Sequence, residues 1–178
     1  MSSRNPIPTL TTPRLTLRGF TPADAKPLHR ILNEANILQY FPRPDPPDME
    51  RVQGLIERQL FQWKEHRLGW WAVLPQGGKE LIGWNGLQYL PETDEVELGY
   101  LLSKSFWGQG LATEAARASV QFGFETLGLE RIVAIVHVEN AASRRVIEKL
   151  GMSFVDQSIW WGIECRRYSL RRPEPASP

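Results

Sequence analysis

The run Phe106-Trp107-Gly108-Gln109-Gly110-Leu111-Ala112-Thr113 holds residue types suited to gripping a phosphate. Two glycines stand one residue apart, an extended apolar run (96–102) precedes them, and an Ala/Glu-rich helical stretch follows at once. The first backbone N–H groups of a helix have no partner within it, and the helix dipole favours an anion at that end. Glycine lets the main chain approach the anion with no Cβ in the way. Strand, glycine loop and helix in this order imply an enzyme that binds a phosphate-bearing cofactor.

Three familiar nucleotide loops fit these residues poorly. A dinucleotide fingerprint needs a third glycine where Thr113 stands and a tight turn where residues 103–106 intervene. Its acid would close the next strand, but Glu139 lies further along than the usual spacing of about 20 residues. A Walker loop needs a lysine after its last glycine, and none follows Gly110. A kinase loop needs a far longer catalytic domain. An ordinary turn and helix start without a ligand stays open on the motif alone.

The elements that must position this loop read as follows. Arg14 to Arg18 alternates polar and apolar, as a half-buried strand does. Thr21-Pro22-Ala23-Asp24 supplies an N-cap, a proline at the first helical position and an acid, predicting a short helix to about Asn33. Four prolines make 41–47 a loop. Asp45 can cap a second helix whose apolar face is Val52, Leu55, Ile56, Leu60 and Trp63. Strands over 70–74, 80–90 and 95–102, with turns at 76–79 and 91–94, form an antiparallel meander. A helix over about 110–124, a buried β-branched strand over 131–138 and a helix over 141–150, stopped by Gly151, come next. Residues 153–161 and 164–170 pair as a closing hairpin around Gly162.

Composition narrows the classes. A chain of 178 residues suits one domain, and 42% hydrophobic with 23% charged residues is ordinary for a globular protein. A formal net charge of +1 gives no general attraction for nucleic acid or an anionic membrane. No apolar run approaches the ~20 residues of a spanning helix. Lone Cys165 excludes an internal disulfide framework and a cysteine-based zinc site. The expected compartment is the cytoplasm, and residues 1–9 and 171–178 are expected to be flexible tails on a core of about 10–170.

From Val96 to Met152 the chain resembles the GNAT acyltransferase superfamily, most closely the RimJ/RimL-type ribosomal-protein N-terminal acetyltransferases. The resemblance rests on Glu97-Leu98-Gly99-Tyr100-Leu101-Leu102, on Trp107 to Ala115, on Asn140-Ala141-Ala142-Ser143 and on Glu148-Lys149-Leu150-Gly151-Met152 in that order. It implies an α/β (α+β) fold: a mixed, mostly antiparallel twisted sheet of about seven strands with about four helices and a splayed central parallel pair, 97–102 and 131–138. It implies acetyl-CoA as co-substrate and no metal. Main-chain groups of Tyr100, Leu101 and Leu102 would pair with the pantetheine arm like an added strand. Trp107, Gly108, Gln109, Gly110, Leu111, Ala112 and Thr113 would hold the pyrophosphate, with Asn140, Ser143 and Arg144 completing the cofactor site and Arg145 beside it.

Acetyl transfer needs an uncharged amine and a proton for the departing thiolate. Glu97 is the preferred base, with His137 second and Glu139, Glu95 and Glu164 behind it; each is equally readable as a structural residue. Ser143 matches the branch's Asn-x-x-Ser motif and could return the proton, since the tyrosine many members carry further along this helix is Ile147 here. Cys165 is expected to be inert. The implied acceptor is a protein N-terminal α-amine, with small amines and aminoglycosides open, the protein acting as monomer or homodimer. Trp63, Trp70, Trp84 and Trp160 could line the acceptor site or simply pack. A catalytically silent acyl-CoA-binding module and a dinucleotide oxidoreductase are the rival classes.

Overall fold

The structure, a computed structural model, describes residues 6–173. Its strands are β1 (Leu10–Thr11), β2 (Leu15–Arg18), β3 (Trp70–Pro75), β4 (Gly83–Leu90), β5 (Glu95–Leu102), β6 (Arg131–His137), β7 (Ser153–Trp160) and β8 (Ile163–Arg171). Its helices are α1 (Ala25–Leu32), α2 (Met49–His66), α3 (Leu111–Glu125) and α4 (Ala141–Lys149). One eight-stranded sheet runs in the order β1-β2-β3-β4-β5-β6-β8-β7, antiparallel except for β5 and β6. The expected four helices, the meander and the closing hairpin are all present; the eighth strand, β1, is the one not anticipated.

Two layers of helix cover the sheet. α1 and α2 lie over Ala72, Leu74, Trp84 and Leu101. α3 and α4 lie over Leu87, Leu98, Ala134, Val136 and Tyr168. Because side chains alternate along a strand, Glu97 faces the first layer while Leu98 and Tyr100 face the second.

Three local readings change. Asp48, not Asp45, caps α2 by accepting the Arg51 N–H at 2.8 Å, and Asp45 instead accepts from the Arg51 guanidinium at 2.7 Å. Pro46 and Pro47 remain outside the helix. The strand expected from 80 begins at Gly83, although the Ile82 N–H still bonds to the Val73 carbonyl at 2.9 Å. Residues 6–9, expected as a loose arm, pack on the sheet: the Trp71 indole N–H donates to the Pro8 carbonyl at 2.7 Å, and Ile7 lies against Gly19. At the other end, Arg171 belongs to β8, and the remainder of both expected tails, 1–5 and 174–178, lies outside the described residues.

Close strand packing depends on glycines in β4, Gly86 among them. A Cβ on Gly86 in β4 would meet the Gly69 carbonyl and come within 2.6 Å of the Trp70 Cα, both main-chain atoms that cannot swing aside. Gly86→Ala is therefore expected to lower unfolding stability by about 2–3 kcal/mol in urea denaturation, whereas Gly54→Ala, with open space around the added Cβ, should raise it slightly through helix propensity.

Candidate active site

The site starts where β5 and β6 part. β4 and β5 pair from end to end, as do β6 and β8, yet β5 and β6 share one bridge, Glu97 with Val133. Two residues past that bridge, the Ile135 N–H donates to the Glu97 carboxylate. The side chain thus takes a β6 amide that a continuing ladder would have used, and the two strands diverge beyond it.

Alternation settles which β5 groups face this fork. The Leu101 carbonyl is turned toward Gly83 of β4, so the main-chain groups of Tyr100 and Leu102 face the opening. Leu101, expected to contribute main-chain contacts there, instead offers a buried side chain to the α1–α2 layer. The Leu102 carbonyl already accepts the Trp107 indole N–H at 2.7 Å. That bond holds the tryptophan at the mouth of the glycine loop, with the Lys104 ammonium 5.7 Å from its ring centroid.

The glycine loop has the conformation its residues predict. Gly108 and Gly110 both adopt left-handed backbone, φ 74° and 78°, which side-chain-bearing residues rarely tolerate. Gly110 is the N-cap of α3, and the first helical bond runs from the Glu114 N–H to its carbonyl at 3.0 Å. Among the described residues, no acceptor engages the main-chain amides of residues 108–113. Gln109 ties the loop to its own base through a bond from its amide nitrogen to the Ser105 carbonyl at 3.0 Å. A cradle of free amides at a helix N-terminus beside an opened strand fits a diphosphate followed by an extended, amide-bearing arm.

Glu97 is 6% exposed and sits at the fork's closed end. Burial raises its carboxyl to about 7, partly opposed by hydrogen bonds from the Gln88 side chain (2.6 Å) and the Ile135 N–H. The two weaker carboxylate candidates on strands are otherwise engaged. Glu95 is buried and bound by Arg131 at 2.7 Å and Arg167 at 3.0 Å. Glu164 is exposed and accepts from Gln157 at 2.8 Å. Glu139 is exposed at the end of β6. His137, the second base candidate, uses Nδ1 to accept the Glu139 N–H at 3.2 Å and carries the Tyr40 ring at 5.3 Å. It therefore anchors the α1–α2 loop to β6.

On the opposite sheet face Asn140 caps α4, accepting the Ser143 N–H at 3.0 Å. The Ser143 hydroxyl lies 2.8 Å from the Tyr100 hydroxyl, which also reaches the Ser143 carbonyl at 3.1 Å. Burial raises the Tyr100 phenol above its ordinary range, so it stays protonated. Mostly main-chain contacts were expected from Tyr100, and no sequence signal pointed to this phenol's partner. Arg144 donates to the Val138 carbonyl, and Arg145 is exposed.

The face carrying Glu97 also holds aromatic walls. Trp70 and Trp84 stack with centroids 3.6 Å apart and an interplanar angle of 9°. They stand over Gly99, the next residue on Glu97's face; a Cβ there would lie 3.1 Å from Trp84 and 3.6 Å from the Trp70 Nε1. Across the fork, Trp160 lies beside Arg167, which pairs with Asp156. The Nε1 atoms of Trp70, Trp84 and Trp160 and the Asp156 Oδ1 are buried without a hydrogen-bond partner. Trp63 does not join them: it packs on Trp71 at 4.7 Å and Phe122 at 6.1 Å in the other core.

The Glu97 carboxyl has a consequence for stability. Its proton leaves near 4.5 in the unfolded chain and near 7 in the folded one. Between those values the folded state binds more protons, so stability falls as pH rises through that window and stays low above it. Glu97→Gln should therefore melt higher than the unaltered protein at pH 8, by on the order of 2 kcal/mol, and show no such gain at pH 4. Calorimetry at the two pH values checks this.

The family model of the acetyltransferase (GNAT) domain matches residues 14–153. An uncharacterized N-acetyltransferase, YoaA of Bacillus subtilis, is 32% identical over 146 residues, covering 82% of each chain. A spermidine N(1)-acetyltransferase of Escherichia coli is 27% identical over 141 residues, covering 77% of this chain and 72% of its own. Among solved structures, an acetyltransferase from Agrobacterium tumefaciens superposes with a TM-score of 0.82 at 30% identity, covering 93% and 95% of the two chains. RimL, a ribosomal L7/L12 α-N-protein acetyltransferase in complex with coenzyme A, shares the fold with a TM-score of 0.79 at 19% identity, covering 93% of this chain and 97% of its own. An extent of match running from the first residues of β2 to the start of β7 leaves no doubt of kinship: the chain belongs to the GNAT family of acetyl-CoA-dependent N-acetyltransferases.

Proposed function

We propose that this GNAT acetyltransferase moves the acetyl group to a protein N-terminal α-amine by direct attack in a ternary complex, with Glu97 as base. The observation that carries the reading is the buried Glu97 carboxyl, raised to about 7, at the closed end of the β5–β6 fork. Acetyl-CoA supplies an activated thioester. The free amides of residues 108–113 hold its diphosphate, and the main-chain groups of Tyr100 and Leu102 orient its arm. Glu97 takes a proton from the amine as the new C–N bond forms, and the C–S bond breaks. The Ser143 hydroxyl, held by Tyr100, hands its proton to the departing thiolate and regains one from water, to which Glu97 gives up the proton it took from the amine. An α-amine titrates near ~8 and a lysine near ~10.4, so an α-amine asks less of a base poised near neutrality.

A polyamine such as spermidine brings further ammonium groups to the site. The buried Glu95 carboxylate, which a second ammonium would seek, is already occupied by two arginines. The cytoplasm is the compartment in which such acceptors and acetyl-CoA meet, and among the described residues no helix is long and apolar enough to cross a membrane.

Thiol release from acetyl-CoA with short peptides, the same peptides blocked at the N-terminus, spermidine and an aminoglycoside tests the acceptor. Free peptides should exceed spermidine in kcat/KM by at least about tenfold; a preference for spermidine would overturn it. With the best peptide, kcat/KM should rise with pH through about 7, and Glu97→Gln should lose that limb. A limb that persists in the variant removes Glu97 as the base.

A further inference from the structure

One carboxylate in the first turn of α3 gathers four donors from outside the helix. Glu114 Oε1 accepts the Thr12 hydroxyl at 2.7 Å and the Arg14 main-chain N–H at 2.9 Å. Its Oε2 accepts Arg14 Nε at 2.7 Å and lies 2.6 Å from Arg14 Nη2. These contacts hold the Glu114 carboxyl below the usual carboxylate range, against the effect of burial. They bind the turn between β1 and β2 to the start of α3, about 100 residues away in sequence.

The remaining Arg14 nitrogen, Nη1, donates to the Gln109 carbonyl at 2.9 Å. The peptide between Gln109 and Gly110 is trans and planar, so its carbonyl and its N–H point in opposite directions. Holding the carbonyl against Arg14 turns the Gly110 N–H to the far side. Gly110 has φ 78° and Gly108 has φ 74°, with open space around Gly108, so the backbone itself holds this stretch loosely. The Gln109 side chain ties the loop to Ser105 and the Gly110 carbonyl caps α3, while Arg14 is the side chain that engages the Gln109 carbonyl itself. A surface ion pair alone contributes little to stability, and the Arg14 side chain is 51% exposed. The chain of contacts from Glu114 through Arg14 to Gln109 is therefore better matched to aiming an amide than to holding the fold.

Resting on the reading of residues 108–113 as the diphosphate site, we infer that Arg14 is a positioning residue for acetyl-CoA. Its guanidinium, fixed by Glu114, sets the orientation in which the Gly110 N–H meets the diphosphate. Arg14 touches the loop from behind and does not itself contact phosphate.

The test compares the unaltered protein with Arg14→Ala, Arg14→Lys and Glu114→Gln by calorimetric titration with coenzyme A and by steady-state kinetics. Arg14→Ala should raise KM for acetyl-CoA and Kd for coenzyme A about tenfold, leaving kcat and the KM of the amine within about twofold. Glu114→Gln should show a smaller shift in the same direction. Arg14→Lys should not restore affinity, because an ammonium cannot span Glu114 and Gln109 with a fork. The salt dependence of coenzyme A binding should keep its slope in Arg14→Ala, since no phosphate contact is lost. A reduced slope would make Arg14 a direct phosphate ligand and overturn the positioning role. An unchanged Kd with a lowered Tm would overturn it in favour of a purely structural clamp. If the unaltered protein fails to bind coenzyme A, the diphosphate reading falls and takes this inference with it; equally tight binding by the unaltered protein and Arg14→Ala sinks the positioning role alone.

Discussion

The whole arrangement depends on a parallel ladder that stops after one pair. Two adjacent strands in the middle of a sheet would normally satisfy each other's main-chain groups along their length. Here β5 and β6 meet at Glu97 and Val133 and then separate, while each stays fully paired with its outer neighbour. The sheet therefore stays intact on both sides of the opening, and the freed groups of Tyr100 and Leu102 have no neighbouring strand. A buried polar group without a partner is costly, so an extended ligand with its own amides is stabilised in that gap. Glu97 stands at the vertex and accepts a β6 amide, so the residue that marks the end of the ladder is also the proposed base.

The second requirement is that the anion cradle lie at the open end of this gap. The short connection from β5 to α3 supplies it. Trp107 is bonded to the last carbonyl of β5, so the glycines after it start from a fixed point. Glu34 of the α1–α2 connection accepts the Ser103 hydroxyl and the Lys104 N–H (2.6 and 2.9 Å), fixing the other side of the same turn. Arg14 and Glu114 then bind the loop from the β2 side. Bonds from three parts of the chain converge on a loop whose glycines would otherwise leave it free, which reduces the entropy lost on binding.

Much of this was legible in the residues, and the failures have physical reasons. Gly108 and Gly110 flanking a strand end and a helix start implied left-handed backbone and free amides, because those conformations are glycine's own. The change from helical to alternating periodicity located β3 to β5, and Gly151 and Gly162 located the turns around β7. Asp45 was expected to cap α2, but Pro46 and Pro47 stay outside the helix and Asp48, nearer its first turn, supplies the cap. β1 escaped notice because two residues carry no period, and the strand exists through pairing with β2. The candidate site was less legible than the fold. Whether Leu101 or its neighbours face the fork depends on the register of β4 against β5, which no local pattern states. The Tyr100–Ser143 contact and the Arg14–Glu114 clamp join residues 43 and 100 positions apart in sequence, and their partners become visible only when the sheet is assembled.

The same alternation that divides the core divides the chemistry. Glu97 and Tyr100 are three residues apart on one strand, so their side chains leave opposite faces of the sheet. The proposed base lies with the tryptophans on the α1–α2 face, and the hydroxyl pair lies with α4. In an unbroken sheet the strands would separate these groups, and the fork parts the sheet between them. The proposed reaction uses that opening: an amine entering from the Glu97 side, a thiolate departing on the Ser143 side, and the acyl carbon between them. The lone thiol nearby is poorly suited to a covalent intermediate. Cys165 is buried, and burial together with the neighbouring Glu97 pushes its pKa up to about 11, so it carries almost no thiolate with which to form an acyl-enzyme.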